Sequence, residues 1–283
     1  MFNISIVTYR NDYENIKKNI NSFIKSPLLE KLFIINNSST DDLKKIRNVD
    51  SNIEYIFNPS NPGYGASHNI AIRKSIGNST KYHIVLNPDI YFSKEGVLEE
   101  LYDFIEQNND VGLVMPQVLY RDGSIQYLCK LLPTPLDLFG RRFLNFAPFK
   151  KIIEKRKELY ELIFTGYNRI MEPPYLSGCF MFLKVEVLKE VGIFDERFFM
   201  YLEDTDLSRR IHKKYKTVFY PKVTIYHDYA KGSYKNFKLL KYHMQSAIKY
   251  FNKWGWFFDE ERKIMNLKFM EKFKKINYDK LDR

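Results

Sequence analysis

The chain has 283 residues, 45% of them hydrophobic and 16% aromatic, and carries 45 Lys and Arg against 34 Asp and Glu for a net charge of +11. That is ample material for a core of one large domain or two small ones, and it excludes a disordered or collagen-like protein. No cationic and apolar leader opens the sequence, no apolar run approaches the ~18 residues of a membrane span, and two cysteines, Cys129 and Cys179, are too few for a disulfide framework or a four-ligand zinc site, so the expected setting is a reducing cytoplasm.

In chain order, residues 4–8 (ISIVT), 32–35 (LFII), 55–57 (YIF) and 83–86 (HIVL) are short, apolar and β-branched or aromatic, each ended by polar residues, and read as buried strands. Between the first two, residues 12–25 carry Tyr13, Ile16, Ile20, Phe23 and Ile24 at helical spacing, and residues 68–75 form a second helix before the fourth strand. Strands alternating with helices imply an α/β fold with a mainly parallel sheet, whose ligands sit at the carboxyl ends of the strands. Candidate binding residues are therefore Thr8, Tyr9 and Arg10, then residues 36–41, 58–65 and 87–89. Residues 61–70 (NPGYGASHNI) place two glycines before a helix, where backbone can approach a ligand closely, although they match no phosphate-loop pattern. In residues 86–92 (LNPDIYF), Pro88 cannot continue a central ladder, so the chain turns and exposes Asp89, a hard oxygen ligand for Mg²⁺ or Mn²⁺ beside Asn87.

Residues 121–175 hold five prolines around a basic helical stretch, 150–161, and read as an insertion or flap. Residues 179–183 then have strand length, 186–191 have helical composition, and Gly192 ends that helix. Next come Asp195, Glu196, Glu203, Asp204 and Asp206 among Phe194, Phe198, Phe199, Met200 and Tyr201, a setting able to supply a tuned general base. The same carboxylates also suit the acidic first turn of a helix, with Asp206 pairing Arg210 and with Leu207, Ile211 and Tyr215 facing the core. His227 follows a strand over 217–226 and needs a partner to count as a ligand. A helix over 236–254 is expected to dock through Phe237, Leu240, Met244, Ile248 and Phe251, leaving Lys235, Lys238, Lys249 and Lys253 on the solvated side. Residues 229–283 carry a net +8 of the chain's +11, and with the aromatic run 254–258 and Lys272 to Lys275 this tail suits an anionic membrane surface. No nucleic-acid module is visible, and no nucleic-acid partner is expected.

Taken in order, SIVTYR (5–10), IINNSSTDD (34–42), NPGYGASHNIAIR (61–73), LNPDIYF (86–92), the long block 177–211 and YHDYAKGS (226–233) resemble the family-2 glycosyltransferases of the GT-A fold, and most of all the bacterial rhamnosyltransferases of cell-surface polysaccharide assembly. The resemblance runs from residue 4 to about residue 253. It implies a GT-A domain over 1–228, divided into a nucleotide-sugar half (1–120), a flap (121–175) and a catalytic half (176–228), followed by a helical extension over 229–283. It further implies that Thr8, Tyr9 and Arg10 lie near the donor, that Asn36 stands where the family usually has an Asp, and that Asn69 lies near the donor. Asn87 and Asp89 match the Asp-x-Asp metal motif with its first Asp replaced, and His227 matches a further ligand position for Mg²⁺ or Mn²⁺. Asp204 matches the catalytic base, Glu203 is expected to orient the acceptor or the base, and Asp195 and Glu196 to line the acceptor side.

The expected reaction is inverting transfer of a sugar, L-rhamnose from dTDP-rhamnose, onto a lipid-linked glycan at the inner face of the cytoplasmic membrane. Two alternatives stay open at this level: a UDP-dependent galactofuranosyl or hexosyl transferase, and a non-catalytic sugar-nucleotide or membrane-surface binding protein on a GT-A shell. An oligomer is compatible with either.

Overall fold

A computed structural model describes residues 1–140, 148–228 and 237–281, with side chains as far as residue 274. Residues 229–233 of the last motif, together with Lys235 and Asn236, fall outside the described residues.

The four strands expected in the first half are β1 (Phe2–Thr8), β2 (Leu29–Asn36), β3 (Ile53–Phe57) and β4 (Tyr82–Leu86). They pair in parallel in the order β3-β2-β1-β4, as buried strands joined by crossovers must. Helix α1 (Tyr13–Asn21) starts where Asp12 caps it, its carboxylate accepting from the Asn15 amide at 3.0 Å, and it buries Ile16 and Ile20. Helix α2 (Tyr64–Gly77) starts four residues earlier than expected, directly after Gly63 at φ +108°.

Beyond β4 the sheet becomes mixed. After β5 (Ile90–Tyr91), α3 (Val97–Gln107), β6 (Val111–Leu119) and the short β7 (Cys129–Lys130) and β8 (Tyr175–Leu176), strand β9 (Phe180–Lys184) runs antiparallel between β4 and β6. Strand β10 (Lys216–His227) is parallel to β6 and antiparallel to β5, giving the full order β3-β2-β1-β4-β9-β6-β10-β5. Because β9 is reversed, its first residues lie beside the carboxyl end of β4, with Leu86 opposite Phe180. Residues from both halves of the chain thereby reach one edge of the sheet.

Residues 121–175 hold helix α4 (Lys150–Tyr160) and are packed into the main core through Leu131, Tyr160, Leu162 and Tyr167. Helix α5 (Val185–Val191) ends at Gly192, φ +83°, as read from the sequence. Helix α6 (Glu203–His212) buries Leu207 and Ile211 completely, and Asp206 pairs with Arg210 at 2.9 Å. Cys129 and Cys179 are both buried free thiols.

The tail forms α7 (Phe237–Trp254) and α8 (Glu260–Leu281), and both pack on the domain. The buried face of α7 is shifted from the expected one: Phe251 is buried as expected, but Phe237 is 82% and Ile248 44% exposed, Ala247 and Tyr250 join Phe251 against Phe198, Leu202 and Leu138, and Ser246 is buried with its hydroxyl on the Met200 carbonyl at 2.8 Å. Lys253, expected in solvent, reaches Asp195 at 2.8 Å and Asp206 at 2.6 Å, and Trp254 donates to Asp206 at 2.8 Å. Charge attraction to the acidic segment and close approach at Ser246 and Ala247 rotate the helix away from its most apolar stripe. Arg209 is held between the extension's Asp259, at 2.6 Å and 2.7 Å, and the Trp254 ring, 4.1 Å from its centroid. Among the described residues no helix is long and apolar enough to cross a membrane.

Candidate active site

The carboxyl end of β4 delivers Asn87 and Asp89. A turn closes there, with the Ile90 amide donating to the Asn87 carbonyl at 3.3 Å, and β5 then pairs with the end of β10 so that Ile90 sits opposite His227. His227 is 3% exposed, and its Nε2 lies 3.1 Å from Asp89 Oδ1 and 3.3 Å from Asn87 Nδ2. Two amides fix the tautomer of this ring. The Gln126 NH₂ donates to the His227 carbonyl at 2.8 Å, which turns Gln126 Oε1 toward His227 Nδ1 at 2.9 Å, so Nδ1 carries the proton. The Asn87 oxygen takes a hydroxyl from Tyr64 at 2.9 Å, which turns the Asn87 NH₂ toward Nε2. Nε2 thus lies between the Asn87 amide at 3.3 Å and a carboxylate oxygen at 3.1 Å, so that one imidazole nitrogen and one carboxylate converge as the ligands of a cation would. Asp89 Oδ1 is itself a buried atom with no hydrogen-bond donor.

This donor set suits the Mg²⁺ or Mn²⁺ that the resemblance implies: one hard carboxylate and one imidazole nitrogen, with the remaining ligands left to substrate phosphates. Among the described residues no three His, Cys, Asp or Glu side chains gather to hold a metal, so the protein's share would be these two.

Asp204 begins the first turn of α6, following Tyr201 and Leu202, which hold successive left-handed φ values of +71° and +66°. Its Oδ2 accepts from Tyr175 OH at 3.0 Å and from the Gly178 amide at 2.8 Å, and its Oδ1 accepts from the Thr205 amide at 2.7 Å. A carboxylate has about four acceptor sites, and the fourth, on Oδ1, holds only a long contact from the Thr205 hydroxyl at 3.4 Å, the one an incoming hydroxyl would replace. Gly178 is required here, since a Cβ on it would stand 2.9 Å from Asp204 Cβ. The carbonyl of the next residue, Cys179, accepts from the Asn87 amide at 2.9 Å. Asp204 and Asn87, the latter two residues before Asp89, are thus anchored to adjacent residues of backbone, Gly178 and Cys179.

The other candidates divide. Tyr9 (49% exposed) and Arg10 stand open at the end of β1, with Arg10 at φ +56°, its amide donating to Ser38 Oγ at 2.7 Å and its guanidinium 5.3 Å from the Tyr9 ring centroid. Thr8, Asn36 and Asn69, read from the sequence as donor contacts, are 0%, 1% and 0% exposed. Asn36 spends its amide on Tyr55, Thr40 and Ser38, at 2.9, 3.2 and 3.0 Å, and so shapes the loop after β2 from below. Asn69 is a staple: it donates to the Phe194 carbonyl and to Glu196 at 2.9 Å each and accepts from the Phe194 amide at 3.1 Å. Glu196 therefore clasps α2, with Arg73 as its second partner, and Asp195 is held by Arg197 and Lys253, whose bonds keep its carboxyl well below the usual carboxylate range despite burial. Both carboxylates are spent on these pairs. Glu203 is 4% exposed, with Oε2 lacking a partner, and burial followed by the neighbouring Asp204 charge pushes its carboxyl well up.

Sequence reasoning missed Gln126, Tyr175 and Gly178, and it held Tyr64 only as one of the candidate stretch 58–65, with no role of its own. Each acts through a partner distant in the chain.

Residues 4–192 match the model of Glycosyl transferase family 2, which is more than half of the chain and stops short of Asp204 and His227. Among relatives, the chain is 28% identical over 212 residues to the low-salt glycan biosynthesis hexosyltransferase Agl10 of Haloferax volcanii, covering 75% of this chain and 61% of that protein. It is 26% identical over 194 residues to the N-acetylglucosaminyl-diphospho-decaprenol L-rhamnosyltransferase of Mycobacterium tuberculosis, covering 63% and 60%. The chain thus spans less than two thirds of the length of these relatives. Among solved structures, GalNAc-T7 with UDP, GalNAc and Mn²⁺ superposes with a TM-score of 0.59 at 15% identity, over 81% of this chain and 43% of that one. The mannosyltransferase PcManGT of Pyrobaculum calidifontis, in complex with GDP-Man and Mn²⁺, gives 0.57 at 16%, over 88% and 64%. At that identity the structural likeness speaks for the fold alone, a mixed, mostly parallel sheet between helices of the GT-A type. With more than half of its length matched by the family model and its sheet built on this plan, the chain belongs to glycosyl transferase family 2.

Proposed function

We propose that the protein transfers a sugar, with inversion, from a nucleoside diphosphate donor to a lipid-linked glycan of a cell-surface polysaccharide. L-rhamnose from dTDP-rhamnose is the assignment we favour, and a UDP-linked galactofuranose or hexose is the alternative. The observation that carries the reading is the anchoring of Asp89 and Asp204 to the adjacent backbone groups Cys179 C=O and Gly178 N–H, the first through Asn87. The rhamnosyl assignment is supported by the mycobacterial relative, whose name gives a decaprenol-linked acceptor.

In this reading Asp204 is the general base. An acceptor hydroxyl is a poor nucleophile until it gives up its proton, and Oδ1 takes that proton as the oxygen attacks the anomeric carbon and the bond from that carbon to the diphosphate oxygen breaks. One displacement inverts the centre. Tyr175, Gly178 and Thr205 hold the carboxylate in place for the attack. Asp89 and His227 would hold Mg²⁺ or Mn²⁺, which when bound supplies positive charge for the departing diphosphate. Tyr9 and Arg10, exposed at the end of β1, are the residues we assign to the donor side. Phe257 and Phe258, 77% and 98% exposed between α7 and α8, support apposition to the bilayer that carries the acceptor, at the inner face of the cytoplasmic membrane.

A thermal-shift screen of dTDP, UDP and GDP, each with and without Mn²⁺, tests the donor class. A ligand that binds the native state raises the melting temperature, by about 2.7 kcal/mol of stability at a hundredfold excess over Kd. The reading expects a metal-dependent rise with dTDP that exceeds those with UDP and GDP and is lost in Asp89→Asn. A larger rise with UDP selects the alternative, and no rise with any nucleotide rejects the reading.

A further inference from the structure

Helix α7 lies wholly outside residues 4–192, the stretch matched by the family model, yet it touches the segment that leads to Asp204 at both ends and in the middle. Residues 192–202 join α5 to α6, and the last two, Tyr201 and Leu202, are left-handed. Residues other than glycine keep such angles only where the surroundings impose them. Here α7 imposes them. The Ser246 hydroxyl donates at 2.8 Å to the carbonyl of Met200, the residue before the pair, and Leu202 is buried in one cluster with Ala247, Tyr250 and Phe251. Lys249 donates to the Arg197 carbonyl at 2.5 Å. Ser246, Lys249 and Lys253 stand at i, i+3 and i+7, so one stripe of the helix meets the segment with three polar side chains.

Lys253 does what the other two do not. Its ammonium reaches Asp195 at 2.8 Å, near the start of the segment, and Asp206 at 2.6 Å, in the first turn of α6 two residues after Asp204, and so ties the two ends together. Its side chain is 21% exposed and Asp206 is fully buried, so water and salt screen this tie far less than a surface ion pair. Each carboxylate also has a cation of its own. Arg197 lies 2.6 Å from Asp195, Arg210 lies 2.9 Å from Asp206, and Trp254 donates to Asp206 at 2.8 Å. Removing the Lys253 charge therefore strands neither carboxylate. What it removes is the link between them.

We propose that Lys253 is a positioning residue for transfer, which by bridging Asp195 and Asp206 closes the loop between α5 and α6 against α7 and so fixes where Asp204 stands. The proposal rests on the role given above to Asp204. It goes beyond that role in making the extension part of the catalytic apparatus as well as the side turned to a bilayer.

The test is Lys253→Met in the full chain, which keeps the long stem and removes the charge, beside Lys241→Met, exposed on the same helix, as the control. With dTDP-rhamnose and Mn²⁺, or a UDP-sugar where the thermal-shift screen selects UDP, kcat should fall by about tenfold or more in Lys253→Met, with donor KM within about threefold, and stay within about twofold in Lys241→Met. In an Asp204→Asn background Lys253→Met should change the residual rate by less than about twofold, because a base that is absent cannot be misplaced, whereas a merely structural loss would lower that rate again. Hydrogen exchange over residues 195–206 reads the tie without substrate. The Phe198 and Asp206 amides, which donate to the Asp195 and Leu202 carbonyls at 3.2 and 2.9 Å, should exchange faster in Lys253→Met, by about tenfold, and as in wild type in Lys241→Met. An unchanged kcat, a fall that the Asp204→Asn background repeats in full, or a melting temperature lower by more than about 10 °C would overturn the positioning role and leave the reaction standing. A wild-type protein that transferred from no donor would refute the reaction instead, and there unchanged exchange would overturn the tie while faster exchange would uphold it.

Discussion

Gly63→Ala probes how the glycine-rich turn and the catalytic segment are joined. Gly63 sits at φ +108°, and a Cβ built on it would lie 2.3 Å from the Phe199 carbonyl oxygen and 2.8 Å from its Cα, whereas ordinary contact begins at 3.4 Å. The obstacle is backbone, so no side-chain rotation relieves it; the two strands of chain must part by roughly 1 Å, which carries the Tyr64 amide beyond hydrogen-bond reach of the Phe199 carbonyl. Strain at a left-handed φ costs about 1–3 kcal/mol, and the broken bond adds about 0.5–1.5 kcal/mol. The sum, about 2–4 kcal/mol, corresponds to a melting temperature lower by roughly 4–12 °C for a chain of this size. Because Phe199 precedes Tyr201 and Leu202, whose left-handed backbone sets the start of α6, turnover should fall as well as stability. The matched control is Gly77→Ala at the end of the same helix, where an added Cβ meets nothing within 4 Å and alanine gains up to ~1 kcal/mol of helix propensity. Thermal melts and transfer rates of the two variants side by side decide the matter. If Gly63→Ala melted within about 1 °C of Gly77→Ala and turned over normally, the clasp between the two segments would be wrong.

Three further expectations concern pH, the extension and the bilayer. His83 is buried between Ser5 and Ser75, at 2.8 Å from each, and burial lowers its pKa to about 3. The unfolded imidazole takes up a proton near 6.5 and the folded one does not, so stability is full above that value and declines as pH falls toward 3, by up to ~1.36 kcal/mol per pH unit. His68, lowered by the same cause, adds to the slope. Urea denaturation between pH 7.5 and 5 should show this loss, and His83→Gln should flatten it by about one proton; an equal slope in the variant contradicts the argument. Asp259→Ala removes the buried carboxylate of Arg209 and leaves it only the half-buried Glu261 at 3.0 Å, and should cost up to about 3–5 kcal/mol by denaturant unfolding, whereas a loss below about 1 kcal/mol would mean that the extension is not held by the Asp259 pair. Replacing Phe257 and Phe258 by Ser should leave the melting temperature unchanged, since both are exposed, yet weaken sedimentation with anionic lipid vesicles at least tenfold, given ~1.5–3 kcal/mol for each buried side chain. Equal sedimentation would remove the pair from any bilayer contact.

The strands and helices of the first half were legible because each buries a face through local periodicity: β1, β2 and β4 are almost wholly buried, and α1 keeps Ile16 and Ile20 on one side. Strand β6 was not read, because Pro116 interrupts it and its partner β10 carries Pro221 within a register shift between Tyr220 and Thr224. Helix α3 was overlooked although Val97, Leu98, Leu101 and Ile105 mark its buried side. At the site, the residue types at 89, 203, 204 and 227 stood out by their chemistry. What could not be seen is which of them are buried and which are open. Glu203 and Asp204 are adjacent and chemically alike, and only tertiary packing under Gly65 and Phe194 buries one and leaves the other open. Tyr64 reads as a turn residue until its hydroxyl meets groups 23 and 114 positions away, a relation no local pattern encodes. The docking of α7 was misread for a related reason, since attraction of Lys253 to Asp195 and Asp206 outweighed the apolar stripe.

The central claim of the proposed function is that Asp204 takes the acceptor's proton beside the site where Asp89 would hold the metal. Asp204→Asn preserves the shape of the side chain and removes the base, so single-turnover transfer should slow by about 10²–10⁴-fold while nucleotide affinity with Mn²⁺ stays within a few-fold of wild type. A variant that transfers at more than about a tenth of the wild-type rate, or that loses nucleotide binding along with transfer, would contradict it.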